Sequence, residues 1–105
     1  MGVDDRAMAL VVERLRELGG GIVAVDEQVR AELPLPVAGL LSDRPLGEVL
    51  EASREINAAA QALGVTFPAP FQMLAFLALS VIPSLKITDR GLVDVDRLEL
   101  VPLPV

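Results

Sequence analysis

Met8, Val11, Leu15 and Leu18 recur at helical spacing, while Arg6, Glu13, Arg14, Arg16 and Glu17 fall largely between them. That alternation predicts an amphipathic helix with one inward stripe. Asp4 or Asp5 can cap its start, and Gly19-Gly20-Gly21 supplies the left-handed backbone that commonly ends a helix. Ile22–Val25 follows as a short apolar run rich in β-branched residues, which fits a strand covered on both faces. In the next run Val29, Ala31 and Leu33 alternate with Arg30 and Glu32, the pattern of a strand with one wet face. The polar residues Asp26-Glu27-Gln28 between the two runs predict a β-hairpin, although no glycine is present to favour a tight turn.

Pro34 and Pro36 then stop the strand, leaving an irregular apolar stretch from Leu33 to Leu41 that needs something to pack against. Pro45 suits the first position of a second helix. Leu46, Val49, Leu50, Ser53, Ile56, Ala60 and Leu63 trace its apolar stripe, and Gly64 closes it. Pro70 opens a candidate third helix through Leu79, but Phe71–Ile82 is apolar all round, and periodicity leaves helix and buried strand both open there. In the tail, Thr88-Asp89-Arg90-Gly91 reads as a turn, with Leu92–Val95 and Arg97–Val101 as strands until Pro102 and Pro104 prevent further pairing. The expectation is a single α+β domain over 1–105, with two or three helices packed on a small, mostly antiparallel sheet that includes a β-hairpin.

Composition sharpens this picture. Hydrophobic residues make up 52% of 105 residues and mean hydropathy is +0.53, rich for so small a body. Apolar surface left bare on a small domain marks a partner interface. The net charge of −6 and the lack of any basic stripe argue against nucleic-acid binding. The uncharged run from Gly64 to Leu85 is broken by Pro68, Pro70 and Pro83, and its apolar centre is too short for a bilayer span. Neither a membrane span nor a signal peptide is expected, because the first residues are acidic and no apolar segment follows them.

The chain contains no Cys and no His, which removes thiolate chemistry together with the commonest general base and the commonest metal ligand. The triple glycine is not a phosphate loop, because here the helix precedes the glycines and presents the wrong end of its dipole. Asp94 and Asp96 lack the further oxygens a calcium loop needs, and read as the wet face of an edge strand. Lys86, the only lysine, lacks a recognisable desolvating pocket for Schiff-base chemistry. Ser42-Asp43 is placed to cap the second helix. No catalytic, cofactor-binding or metal-binding residue is expected.

Taken in order, several segments resemble the C-terminal region of the adenine deaminases, in the amidohydrolase superfamily. They are Asp5–Gly21 (DRAMALVVERLRELGGG), Ile22–Val25, Ala31–Asp43 (AELPLPVAGLLSD), Phe71–Lys86 (FQMLAFLALSVIPSLK) and Thr88–Pro102 (TDRGLVDVDRLELVP). The resemblance implies a parent enzyme of purine metabolism, cytoplasmic, that converts adenine and water to hypoxanthine and ammonia. It also implies a (β/α)₈ barrel domain holding a divalent metal, manganese or iron, with ligands that are mainly His. It further implies a His-containing stretch upstream of the position matching Gly2. None of the barrel's motifs is present here, so no catalytic role transfers to this chain. The turn at Asp26–Gln28 departs from the family by lacking its glycine and a residue of length.

The expected role is structural: packing on the barrel domain of the parent, building a homo-oligomer, or both. The alternative is a free-standing small module that homo-oligomerises. In either case the candidate interface is Leu33, Leu35, Val37, Leu40 and Leu41, joined by Phe71 and Phe76.

Overall fold

The computed structural model describes residues 1–103, so Pro104 lies outside the described residues. The chain forms two compact units, Met1–Pro70 and Phe71–Val105. The first contains helix α1 (Asp5–Leu18), strands β1 (Gly21–Val25) and β2 (Val29–Pro34), and helix α2 (Leu46–Ala62). Asp4 caps α1, its Oδ1 accepting from the Ala7 amide at 2.7 Å. At the other end the amides of Gly19 and Gly20 donate to the carbonyls of Arg16 and Leu15, so the triple glycine is a helix stop. The inward line begins at Ala7, 1% exposed, while Met8 turns outward.

β1 and β2 pair antiparallel, with Ile22 opposite Leu33 and Ala24 opposite Ala31. Between Ala24 and Val25 the register slips by one, because Val25 pairs with Val29. A one-residue bulge switches faces, which corrects the simple alternation expected of β2. Val29 packs with Val23 and Val25 against Ala7, Leu10, Val11, Leu15 and Leu18 of α1. Glu32, opposite Val23, is reached by Arg14 of α1 rather than left to solvent. The opposite face of the ribbon carries Ala24 and Leu33, both buried, and α2 packs on both strands with Ile56 and Ala60 buried. The ribbon is therefore clamped between two helices, which explains why β1 carries no polar alternation.

The missing turn glycine is replaced by a side chain. Asp26 Oδ1 accepts from the Gln28 amide at 3.1 Å, and its Oδ2 accepts from Arg30 Nε at 2.6 Å. Along the outer edge of β1, Gly2 forms a parallel bridge with Val25. Pro45 flanks the start of α2 without a side-chain cap, and Ser42 Oγ instead accepts from the Arg44 amide, so the capping expected of Ser42-Asp43 is absent.

Helix α3 spans Pro70–Leu77, which settles the ambiguous apolar run as a short helix followed by turns. The second unit then adds a separate antiparallel meander, β3 (Leu85–Thr88), β4 (Gly91–Asp94) and β5 (Glu99–Val101), in that order. The α+β class holds, with three helices and two small sheets rather than one. β3 is the strand that periodicity did not reveal. Thr88 Oγ1 accepts from the Arg90 amide and donates to the Gly91 carbonyl, fixing the β3–β4 turn.

Candidate functional site

No group of three or more His, Cys, Asp or Glu that could hold a metal ion exists among the described residues. The remaining polar candidates have ordinary local partners. Asp94 ends the central strand β4 rather than lying on an edge strand, and its Oδ1 accepts from the Arg97 amide at 3.1 Å across the β4–β5 turn, where Asp96 also lies. Lys86 Nζ lies 3.1 Å from the Leu85 carbonyl and is not enclosed. The first unit has an open cleft of about 1190 Å³ lined by Asp4, Arg6, Glu13, Asp26, Glu27 and Arg30 among others. It offers side chains of both charges, Arg6 and Arg30 facing Asp4, Glu13, Asp26 and Glu27.

The strongest polar contacts are structural. Arg14 donates to both oxygens of Glu32, at 2.7 and 2.8 Å, and to Glu17 at 2.7 Å. A bidentate arginine–carboxylate pair fixes geometry as well as charge, and here it ties α1 to β2. The hydrogen bond from Arg14 holds the Glu32 carboxyl below its ordinary range. Arg30 and the Gln28 amide do the same for Asp26.

What the fold leaves bare is apolar. Of the residues expected at an interface, Leu33 is only 5% exposed and belongs to the core of the first unit, because β2 turns it toward α2; that residue is corrected out of the candidate surface. Leu35 is half-buried, whereas Val37, Leu40 and Leu41 are exposed, Leu40 by 75% and Leu41 by 63%. Phe71 is half-buried and Phe76 exposed. Sequence reasoning missed Leu46 and Leu50, exposed at the start of α2 on a stripe that looked wholly inward. It also missed Ile87 and Leu98, which lie on a strand and a turn whose exposure no period announces. A bare stripe and a covered one have the same spacing, so only the packing separates them.

Residues 1–99 match the family model described as the adenine deaminase C-terminal domain. An adenine deaminase of Cereibacter sphaeroides is 57% identical over 103 residues, which is 97% of this chain and 18% of the relative. One from Oleidesulfovibrio alaskensis is 52% identical over the same shares, and one from Brucella abortus is 53% identical over 96% of this chain and 18% of the relative. The chain thus spans 18% of the length of the curated relatives it matches. No solved structure matches.

Proposed function

The chain belongs to the adenine deaminase C-terminal domain family, and from that membership we propose that it supplies surface rather than chemistry to an adenine deaminase. The observation that carries this reading is the donor set. A hydrolytic centre needs a water activated by a metal or by a positioned base. This chain has no His or Cys, and its described carboxylates gather nowhere as a ligand set. Its residues do not fit the manganese or iron that such an enzyme is expected to use, and that metal belongs to the rest of the polypeptide. Conversion of adenine to hypoxanthine and ammonia, in a cytoplasmic enzyme of purine metabolism, is then the work of the whole protein.

In this reading the two units form one family domain that packs on the remaining polypeptide. The exposed apolar residues Val37, Leu40, Leu41 and Phe76 supply the surface for that packing. Following adenine conversion by ultraviolet absorbance tests the first half: the purified chain, with or without added manganese, iron or zinc, is expected to show no turnover. Metal-dependent turnover by protein free of host deaminase overturns it.

A further inference from the structure

An ordinary folded monomer of 11.2 kDa exposes about 5,700 Å², whereas this chain exposes 7652 Å². Treating the two units as separate bodies raises the expectation only to about 6,800 Å². The excess is at least comparable to the roughly 800 Å² that one partner contributes to a standard interface. Some of that surface is held in a fixed form. Val37 and Leu41 exchange backbone hydrogen bonds of 3.1 Å, and the Leu40 amide donates to the Val37 carbonyl at 3.0 Å. Ala38 and Gly39 between them take left-handed backbone, φ 56 and 73. The turn is anchored on the end of α1, where the Leu35 amide donates to the Gly20 carbonyl at 3.1 Å. Gly20 packs so closely on Gly39 that a Cβ at position 20 would come within 2.5 Å of the Gly39 Cα.

Exposed loops are ordinarily polar and mobile. This one carries no charge from Leu33 to Ser42, has a hydrogen-bonded and strained backbone, and still holds Val37, Leu40 and Leu41 in solvent. A surface ordered before its partner arrives loses little entropy on binding. We propose that the Val37–Leu41 turn is a preformed docking knob, and that its occupant is an apolar pocket in the remaining polypeptide of the adenine deaminase. This rests on the family reading above. Two observations select that occupant over a second copy of this chain. The matched segment is 18% of each relative, so the rest is covalently tethered, which holds it at millimolar effective concentration. Two copies each carrying −6 repel one another.

The test compares this chain alone with a single polypeptide in which it follows the remaining part of the Cereibacter sphaeroides enzyme. Leu40→Asp and Leu41→Asp are introduced together in both, with Val12→Asp on exposed α1 surface as the comparator. Melting is followed through hydrogen exchange in β1 and β2. The double substitution is expected to leave the chain alone unchanged and to lower melting in the joined protein by about 5 °C or more, while Val12→Asp moves neither. Unchanged melting of the joined double variant overturns the knob and leaves the family reading intact. If the wild-type hairpin melts identically alone and joined, the proposed packing of this domain on the remaining polypeptide itself fails. A chain that sediments alone as a dimer, dissolved by the double substitution, makes a second copy the occupant and overturns the proposal.

Discussion

The two units of this chain spend their apolar residues in opposite ways. Met1–Pro70 buries Ala7, Val23, Ala24, Val25, Leu33, Ile56 and Ala60, whereas among the described residues from Phe71 onward Val95 alone is a buried hydrophobic. The difference lies in layering, not in composition. A two-stranded ribbon has two faces, and in the first unit a helix covers each. The meander β3-β4-β5 has two faces as well, but among the described residues its extensive packing is only between its own strands. Leu85, Ile87 and Leu100 consequently remain exposed, Ile87 by 85%. Leu85 and Ile87 lie on one side of the sheet and Leu100 on the other, so the meander relies more on its ladder and its turns than on a buried core.

The largest expected effect sharpens that contrast. Ile56→Ala removes a side chain 2% exposed between α2 and the ribbon, and should cost about 2–5 kcal/mol in urea unfolding. The same truncation at Ile87 should stay within about 0.5 kcal/mol. Equal costs would break the comparison. Next, Gly20→Ala forces a Cβ to within 2.5 Å of the Gly39 Cα at φ +128, and should lower stability by about 1–3 kcal/mol. Gly19→Ala, which meets nothing within 4 Å, should cost less. Thr88→Ala removes both hydrogen bonds of the β3–β4 turn, with an expected loss of about 0.5–1.5 kcal/mol. Because the meander has so little core, that loss should appear as faster amide exchange across β3 and β4 with no change in β1 and β2.

The smallest effect is electrostatic and confined to the first unit. Arg14 lowers the Glu32 carboxyl from its ordinary 4.5, and Arg30 lowers Asp26 from 3.8. A depressed carboxylate contributes stability that is fully present above its unfolded value and is lost as pH falls through its folded one. The hairpin should therefore loosen as pH falls below about 4.5, and Glu32→Gln should flatten that dependence. An unchanged slope in the variant would remove the Arg14–Glu32 pair from the account.

How much of this was legible follows from what periodicity measures. The caps of α1, the hairpin and the Gly64 stop are local chemistry, and the sequence reading places them well. The hairpin bulge was not legible, because Val29, Ala31 and Leu33 alternate as though one face received them all. The slip at Val25 that divides them is set by Asp26 bonding to Arg30 and Gln28. β3 was not legible because its four residues, Leu85–Thr88, follow the apolar run and are too few to show a period, and Thr88 reads as part of the turn. At the candidate surface, Leu33 and Leu40 look alike in sequence and differ only in which of them α2 can reach.

The Gly20–Gly39 contact has a kinetic meaning as well. The two glycines lie on either side of the hairpin, whose pairing of Gly21 with Pro34 already brings their neighbourhoods together. Closing the contact before the hairpin forms would cost the entropy of the whole intervening loop, and closing it afterwards costs only that of the few residues still free. The turn is therefore expected to lock after the hairpin has formed. Straining the turn by Gly39→Ala, which sets a Cβ on left-handed backbone at φ +73, should speed unfolding in stopped-flow measurements while leaving the folding rate as it was.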